Sequence, residues 1–378
     1  MAKLNWGMIG GGKGSNIGDS HRMAAKLDNL YNFCAGALDI DKARGEEFGK
    51  ELGLTPERTY SDYKTLISSE AERSDGANIV SVVTPNSTHY EITKACLEAG
   101  LHVICEKPIT NDVDQAYELQ SLAAKKNLLL AVMHNYAAYP MVRQARAMVA
   151  DGALGKIRIV QTEFSHGFLS IPRGNEFGGQ AWRQDPKISG KSAVIADVGT
   201  HALHLGEFIT GQRVKAVSAS LDTFVEGRVL EDNAQVMLQF NEGAKGSLWA
   251  SSVAAGSAHG LRIRVFGEKG SIEWEQENSS VLHHRPLDGP TQQLIAGKDY
   301  LDDKVAKLSR VGAGHDSGYI QAFANFYRDV AHLISTNEGK DWNFEDHPIA
   351  TATDGIQGLA FIDAAIKSNE DGSAWTQL

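Results

Sequence analysis

The first third of the chain alternates short apolar runs with amphipathic segments, and this alternation restricts the fold more than any other feature. Apolar residues recur at three- and four-residue intervals, as expected of helices, in Ala43–Leu52, His89–Glu98 and Val113–Lys126. The apolar runs between and around such helices predict five strands: Trp6–Ile9, Phe33–Leu38, Ile79–Val83, His102–Cys105 and Leu128–Met133. Strands that alternate with helices form a parallel sheet, so we predict a doubly wound α/β domain over residues 1–135.

The pattern changes after residue 135. Helical periodicity in Ala137–Ala150 precedes a strand-like run at Lys156–Phe168, and a glycine-rich stretch leads to a predicted helix at Asp197–Thr210. Several strand-like runs joined only by turns follow in 214–275, and two helical patterns follow them, Gly318–Ser335 and Ala350–Ser368. We therefore predict a second domain of the α+β class, residues 136–378, with a large, mostly antiparallel open sheet. Because such a sheet leaves one face uncovered, we also expect a homo-oligomer, a dimer or tetramer formed through it.

Composition excludes several classes of protein. The 378 residues suit two domains, and the formal net charge of −10 without a run of Lys or Arg argues against a nucleic-acid partner. No apolar run approaches the length of a membrane span. The three cysteines lack the paired spacing of a zinc or redox site, and the chain enters its first strand without an export signal, so we expect a cytoplasmic protein.

A glycine cluster, Gly10-Gly11-Gly12-Lys13-Gly14, follows the first strand and precedes a helix. Glycines at such a turn allow the backbone N–H groups of a helix N-terminus to approach a pyrophosphate. Asp39, 21 residues after Gly18 at the end of the second strand, is placed to accept hydrogen bonds from an adenosine ribose. These features together predict a dinucleotide-binding (Rossmann) domain.

Asp39 also bears on which dinucleotide binds. Its carboxylate would repel a 2′-phosphate, and the next residue, Ile40, supplies no compensating cation, so we predict NAD rather than NADP. Lys13 and Arg44 are the two cations that could instead reach such a phosphate.

Polar residues follow the third and fourth strands, as Thr84-Pro85-Asn86 and as Glu106-Lys107-Pro108. Ligands of open parallel sheets bind at the carboxyl ends of the strands, so we expect these residues at the site. The predicted cofactor-binding residues are Gly10, Gly12, Lys13, Ser15, Asn16, Ile17, Asp39, Thr84, Pro85, Asn86, His89, Glu106 and Lys107.

These motifs, together with Asp197-Val198-Gly199-Thr200-His201, resemble the glucose-fructose oxidoreductase, inositol dehydrogenase and rhizopine catabolism family over nearly the whole chain. The segments 181–186 and 314–319 resemble the branch that contains scyllo-inositol dehydrogenases and L-glucose dehydrogenase. The resemblance implies an NAD-dependent dehydrogenase that oxidises a secondary ring hydroxyl of an inositol or a sugar to the ketone or lactone.

The resemblance also implies the catalytic residues. It assigns Lys107 to the nicotinamide and the reacting hydroxyl, with Asp197 and His201 facing it from the second domain. Alcohol oxidation needs a base, and an imidazole titrates near neutral pH, so His201 is the expected base, although the residues alone leave open whether Lys107 or His201 takes the proton first. The expected substrate-binding residues are Lys107, Tyr136, Arg183, Asp197, His201 and His315, with weaker candidates at Tyr139, Arg173, Asn175 and Asp185.

A metal site is the alternative for the second-domain motif. Asp197, His201 and His204 have the spacing of one helix face, and an Asp with two His is a known zinc or iron ligand set. Ligands from a single helix turn give poor geometry, and the resemblance implies no metal, so we predict none.

A separate pair of adjacent histidines, His283-His284, is expected at the surface, between the last sheet strand and a loop.

Three other functions remain open at this point. The same site could oxidise a nucleotide sugar, which would require extra basic residues. The fold could also serve a non-catalytic regulator that senses NAD or sugar, although such a protein would not need Lys107, Asp197 and His201 together. The third is an enzyme that keeps its nicotinamide cofactor bound and transfers hydride from one sugar to another.

Overall fold

A computed structural model describes residues 2–171, 185–337, 339 and 341–378 of the chain. The chain divides into two compact units: unit 1 contains Met1–Met133 and Phe323–Ile356, and unit 2 contains His134–Ala322 and Gln357–Leu378. Residues 323–356, which the sequence pattern places in the second domain, thus belong with unit 1.

The described strands of unit 1 form a five-stranded parallel sheet in the order β2-β1-β3-β4-β5. The strands are β1 Leu4–Gly10, β2 Tyr31–Ala37, β3 Ile79–Val83, β4 His102–Cys105 and β5 Leu130–Val132. β2 and β3 lie on opposite sides of β1, so the strand order reverses there. The turns after β1 and β3 therefore share the crevice in which ligands of such sheets bind.

Helices connect these strands, and a short polar side chain caps the N-terminus of most of them. They are α1 Asn16–Leu27, α2 Lys42–Glu51, α3 Tyr63–Glu72, α4 His89–Glu98 and α5 Val113–Lys126. Asp41, Asp62 and Asp112 each accept a hydrogen bond from a backbone N–H in the first turn of α2, α3 and α5. Such caps satisfy N–H groups that have no partner inside the helix, which fixes where each helix begins.

The later segment of unit 1 completes its core. Tyr327 is 1% exposed and packs edge-on against Trp6 and Tyr31, and Tyr31 donates a hydrogen bond to the Tyr327 carbonyl at 2.6 Å. At the other end of the sheet, the N–H of Val132 donates to the carbonyl of Ala350 at 2.9 Å. Residues 323–356 therefore cover surface that the parallel sheet would otherwise expose.

The described strands of unit 2 form a nine-stranded sheet in the order β13-β12-β11-β10-β6-β9-β8-β7-β14. All its neighbouring strands run antiparallel except β6 and β9. The strands are β6 Ile157–Ser165, β7 Val214–Asp222, β8 Asn233–Phe240, β9 Lys245–Ser251, β10 Leu261–Gly267, β11 Gly270–Glu275, β12 Val281–Pro286, β13 Gln292–Ile295 and β14 Thr376–Gln377. The α/β fold with a second, mostly antiparallel open sheet is confirmed.

The expected surface position of His283 and His284 needs correction. Both residues lie in β12, hydrogen-bonded between β11 and β13, and both are half-buried. The sequence does not reveal this strand, because polar residues occupy half of it and break the alternation of apolar and polar residues. Polar residues are tolerated on the solvent side of an antiparallel sheet.

The remaining described helices lie in unit 2 or pass between the units along the chain. They are α6 Pro140–Ala150, α7 Pro186–Ser189, α8 Thr200–Thr210, α9 Asp303–Ala306, α10 Tyr319–Thr336 and α11 Ala352–Glu370. None of the helices within the described ranges combines the length and apolarity that crossing a membrane requires.

Candidate active site

The glycine loop of unit 1 leaves β1 at Gly10 and is built for close backbone approach. The N–H of Gly11 donates to the carbonyl of Val83 at 3.0 Å, which ties the loop to the end of β3. A β-carbon on Gly12 would lie 2.5 Å from the carbonyl oxygen of Leu38 and 3.7 Å from Oδ2 of Asp39. Only glycine fits at this position, and Asp39 lies beside the loop as the sequence predicted.

Ser15 begins α1 and accepts a hydrogen bond from the N–H of Gly18 at 3.1 Å. Asn16 and Ile17 form the first turn of the helix, where Asn16 is exposed and Ile17 half-buried. Lys13 is exposed and pairs with Glu51 at 2.6 Å, so its ammonium already has a partner. The exposed start of α1 offers the N–H groups and positive dipole end that a pyrophosphate requires.

Asp39 is held in its ionised form. Partial burial opposes ionisation, but hydrogen bonds from the N–H of Asp41 and from Arg44 outweigh it and lower the pKa of the carboxyl group. The guanidinium of Arg44 lies 2.9 Å from Oδ1 of Asp39. The cation that could bind a 2′-phosphate is therefore paired with the carboxylate that would repel it.

The turn after β3 begins with Thr84 and leads into a short helical turn, Asn86–Thr88. His89 is 1% exposed, with Nε2 2.8 Å from the carbonyl of Thr84 and Nδ1 2.7 Å from the carbonyl of Pro108. Burial lowers the pKa of His89, although both carbonyl contacts favour the protonated ring. His89 thus braces the turns after β3 and β4 against each other, and its contact with a cofactor stays a prediction.

Glu106 follows β4 and is the end of a buried polar network. Its Oε1 lies 2.8 Å from Nε2 of His21, and Nδ1 of His21 lies 2.6 Å from the hydroxyl of Tyr327. That hydroxyl contacts Oγ of Ser81 at 2.8 Å, and Ser81 accepts a hydrogen bond from the indole of Trp6 at 2.9 Å. Burial opposes ionisation of Glu106, yet the hydrogen bond and charge of His21, aided by Lys107, lower its pKa.

The peptide N–H of Lys107 donates to Oε2 of Glu106 at 3.2 Å. The network from Trp6 to Glu106 therefore fixes the backbone from which the Lys107 side chain extends. The predicted cofactor-binding residues of unit 1 thus lie at or near four turns, those after β1, β2, β3 and β4.

The catalytic residues predicted in unit 2 do not share one uniform helix. Asp197 lies in a π turn, Ile195–Gly199, and α8 begins only at Thr200, whose N–H donates to the carbonyl of Ile195. One extra residue per turn changes the angular spacing between Asp197 and His201, so the expected helix from Asp197 starts three residues late. Such turns are frequent at functional sites.

The carboxylate of Glu231 fixes the start of this turn. Its Oε1 accepts hydrogen bonds from the Ser192 hydroxyl at 2.5 Å, the Ala193 N–H at 3.0 Å and the Ile195 N–H at 3.1 Å. Glu231 is 8% exposed, and an acidic group at a helix N-terminus is favourable. The loop before β8 therefore positions the segment that carries Asp197 and His201.

His201 and His204 are both buried, at 8% and 7% exposure, and both contact His134. Nδ1 of His201 lies 3.2 Å from Nδ1 of His134, and the ring of His204 stacks on His134 with centroids 4.4 Å apart. The ring of Tyr136 stands perpendicular to His201 at 4.8 Å. We call His134, His201 and His204 the imidazole cluster.

Tyr136 connects the imidazole cluster to a further histidine. Its hydroxyl lies 2.9 Å from Nε2 of His259, and burial lowers the pKa of His259, while the charges of Glu277 and Asp197 oppose this effect. Tyr139 has no exposed surface and accepts a hydrogen bond from Gln276 at 3.2 Å; burial raises its pKa to about 12. Tyr136 is therefore part of the candidate site, and Tyr139 belongs to the core.

The other predicted substrate residues fall elsewhere. Arg183, Arg173 and Asn175 lie outside the described residues. Asp185 caps α7 by accepting a hydrogen bond from the N–H of Lys187 at 2.9 Å, and His315 is exposed in the turn that precedes α10.

Among the described residues no group of three or more His, Cys, Asp or Glu side chains could hold a metal ion.

Sequence reasoning missed four residues that contact or support these groups: His21 and Tyr327 in unit 1, and His134 and Glu231 in unit 2. His134 and Tyr327 had a weak signal, because each is a polar residue within a strongly apolar segment. Nothing in the sequence marks Glu231 as the cap of a turn almost forty residues earlier.

Comparison with known proteins agrees with both units. Residues 4–134 match a family described as an oxidoreductase family with an NAD-binding Rossmann fold. Residues 142–273 match the GFO/IDH/MocA C-terminal domain.

Full-length relatives extend the match. An uncharacterised oxidoreductase of Bacillus subtilis (strain 168), YfiI, is 39% identical over 99% of this chain and 96% of its own. Levoglucosan dehydrogenase of Pseudarthrobacter phenanthrenivorans is 27% identical over 84% of this chain and 83% of its own. The crystal structure of an inositol dehydrogenase homologue from Azotobacter vinelandii, complexed with NADH and myo-inositol, is 40% identical with a TM-score of 0.93, covering 100% of this chain and 98% of that one. The chain belongs to the GFO/IDH/MocA family of oxidoreductases and carries the family's NAD-binding Rossmann domain.

Proposed function

We propose that the protein is an NAD-dependent dehydrogenase that oxidises a secondary ring hydroxyl of an inositol or a sugar to the ketone or lactone. The observation that carries this proposal is the coincidence of two intact half-sites in one chain. Unit 1 has a dinucleotide cradle ending at Glu106 and Lys107, and unit 2 has buried histidines beside Asp197. A regulator without catalytic activity would not require the second half-site.

The residues around the glycine loop fit NAD. The backbone from Gly10 to Ile17, capped by Ser15, suits the pyrophosphate, and the ionised Asp39 suits the adenosine ribose. The pairing of Arg44 with Asp39 supports a preference for NAD over NADP, because the guanidinium is already neutralised. When bound, NAD⁺ accepts the hydride that leaves the carbinol carbon.

Three side chains would carry the proton chemistry. His201 would accept the hydroxyl proton, and Lys107 would hold the hydroxyl oxygen and stabilise the negative charge that develops on it. Asp197, on the turn fixed by Glu231, would orient the substrate or the imidazole. No metal ion is needed in this scheme.

The substrate class is supported by the relatives. The Azotobacter vinelandii homologue was crystallised with myo-inositol, and a more distant relative is a levoglucosan dehydrogenase. Both ligands are compact rings with several hydroxyl groups. Buried imidazoles and a tyrosine hydroxyl supply the hydrogen-bonding groups that such a ring requires.

We also propose a cytoplasmic homo-oligomer formed through the nine-stranded sheet. Ile159 on β6 and Met237 on β8 are 48% and 52% exposed, which is unusual for apolar residues on central strands. Light scattering coupled to gel filtration would test this part, and a monomer at micromolar concentration would contradict it.

The test of the function is NAD⁺ reduction with myo-inositol, scyllo-inositol, D- and L-glucose, pentoses and levoglucosan. We expect at least one of these substrates to support NADH formation, and EDTA to have no effect. Lys107→Ala should abolish this activity, whereas Lys367→Ala, which removes an exposed lysine paired with Asp371, should not. Equal activity of the Lys107→Ala variant and the parent would refute the site.

A further inference from the structure

Besides His204, the imidazole cluster contains a second histidine, His134, to which the proposed reaction assigns no role. It lies two residues after the end of β5, is 4% exposed, and contacts His201 through a ring nitrogen. We propose that His134 is a positioning residue that accepts a hydrogen bond from Nδ1–H of His201 and thereby keeps Nε2 of His201 unprotonated and able to act as the base. This inference rests on the proposed function of His201.

The first step concerns the contact between the two rings. The two Nδ1 atoms lie 3.2 Å apart, and the ring planes are inclined by 82°. At this distance the pair holds one hydrogen between the nitrogens, because two N–H groups would collide and two lone pairs would repel each other. One histidine must therefore donate and the other accept.

The second step follows from the reaction. When a secondary alcohol is oxidised, its C–H bond breaks, and the hydride passes to the oxidised nicotinamide. Its O–H bond also breaks, and the proton forms a new N–H bond on His201. Because Nδ1 of His201 faces His134, the new bond forms at Nε2, and the resulting imidazolium carries hydrogen on both nitrogens.

The direction of the hydrogen bond is then determined. The imidazolium of His201 must donate from Nδ1, so Nδ1 of His134 must be the acceptor. Before the reaction the same arrangement places the hydrogen of neutral His201 on Nδ1 and leaves the lone pair on Nε2. The opposite arrangement, with hydrogen on Nδ1 of His134, would put a hydrogen on Nε2 of His201 and prevent it from accepting a proton.

Packing against neighbouring aromatic rings fixes the orientations of the His134 and His201 rings. His204 stacks on His134 with its plane inclined by 21°, and Tyr136 stands perpendicular to His201. The ring of Phe164 also faces His201, with centroids 6.2 Å apart. These rings fix the orientation of His201, and the contact between the two Nδ1 atoms bears on which nitrogen of His201 carries the hydrogen.

Two substitutions separate the hydrogen bond from the stacking. His134→Asn keeps an acceptor oxygen near the position of Nδ1 but loses the aromatic ring. His134→Phe keeps a ring against His204 but has no acceptor. His332→Phe is the matched control, because His332 also stacks on another histidine, His347, at 4.9 Å but lies in unit 1.

We expect kcat to fall about 10- to 100-fold in His134→Phe and about threefold or less in His134→Asn, with KM for NAD⁺ unchanged in both. A role in packing alone would give the reverse order of the two variants and would overturn the proposal. His332→Phe should match the parent.

A second measurement does not depend on activity. Nitrogen-15 NMR of histidine-labelled protein at neutral pH, assigned with the single variants, distinguishes a protonated ring nitrogen from an unprotonated one. We expect hydrogen on Nδ1 of His201 and none on Nδ1 of His134 in the parent. Hydrogen on Nδ1 of His134 would overturn the inference even if the dehydrogenase activity is confirmed. If none of the polyols supports NAD⁺ reduction, the proposed function is refuted, and the NMR result still shows which of the two rings donates the hydrogen bond.

Discussion

The replacement Gly18→Ala tests whether the contact between α1 and the glycine loop holds the dinucleotide. A β-carbon on Gly18 would lie 2.5 Å from the carbonyl oxygen of Gly11 and 2.6 Å from its Cα. Ordinary contact of carbon with a heavy atom begins at about 3.5 Å, so the backbone must separate by about 1 Å. Both neighbours are backbone atoms, and no rotation of a side chain can relieve the overlap.

The size of the effect follows from this displacement. Overpacking costs about 1–3 kcal/mol, and replacing a helical glycine by alanine returns about 0.5–1 kcal/mol. A displacement of about 1 Å takes an N–H···O hydrogen bond beyond its usual length of about 2.7–3.2 Å, and losing one hydrogen bond to a charged phosphate costs about 1.5–3 kcal/mol. We therefore expect Gly18→Ala to lower the free energy of unfolding by about 1–2 kcal/mol and to raise the Kd for NADH by at least about 10-fold.

Gly45→Ala provides the matched control. Gly45 lies in the first half of α2, beside the same site, but its added β-carbon would be 3.6 Å from the nearest atom, the nitrogen of Asp39. We expect this variant to be as stable as the parent or more stable, with unchanged NADH binding. Titration of NADH fluorescence and urea unfolding measure both quantities, and equal Kd values for the two variants would refute the reasoning.

Three further predictions concern single carboxylates. Asp39→Ser should reduce the ratio of kcat/KM for NAD⁺ over NADP⁺, because it removes the carboxylate and releases Arg44 toward a 2′-phosphate; an unchanged ratio in steady-state kinetics would remove Asp39 from the site. Glu231→Ala leaves three donors without their acceptor, so it should lower the free energy of unfolding by at least about 2 kcal/mol and also lower kcat. Glu231→Gln retains an acceptor and should lose less of both; equal losses in urea unfolding and kinetics would show that the acceptor is unimportant. Glu106 has a lowered pKa in the folded protein, so its ionised form stabilises the fold at pH values above the unfolded pKa of about 4.3. This stabilisation is lost as pH falls through the folded pKa. Glu106→Gln should therefore flatten the dependence of stability on pH between about pH 5 and 3, which thermal unfolding over that range can check.

Local sequence signals were sufficient for most of unit 1. The bounds of β3, β4, α4 and α5 agree with the structure residue for residue, because each is a short apolar run or a periodic segment between clear turn or cap residues. The position of Asp39 beside the glycine loop also follows from spacing along one strand–helix–strand unit, whereas the contacts of these residues with a cofactor stay predictions. The NAD-binding fold could therefore be derived from the sequence.

Long-range contacts explain what the sequence did not reveal. The contact between His134 and His201 joins residues 67 positions apart, and the cap on the turn at Ile195 comes from Glu231. No periodic pattern encodes such pairs. The π turn was missed for a related reason: one inserted residue shifts the helical register without changing composition, so a pattern with a period of 3.6 residues still fits. The roles of Lys107, Asp197 and His201 stay predictions.

The division of unit 1 along the chain has a consequence for how the protein is made. Translation delivers residues 1–133 long before Tyr327, whose hydroxyl and ring complete the buried contacts of Trp6, Ser81 and His21. While the ribosome synthesises the intervening 134–322, the emerging Rossmann strands lack part of their own core. Folding of the nucleotide-binding unit is thus completed only after residues 323–356 have been synthesised, and a fragment cut after Met133 should aggregate or bind chaperones instead of binding NADH.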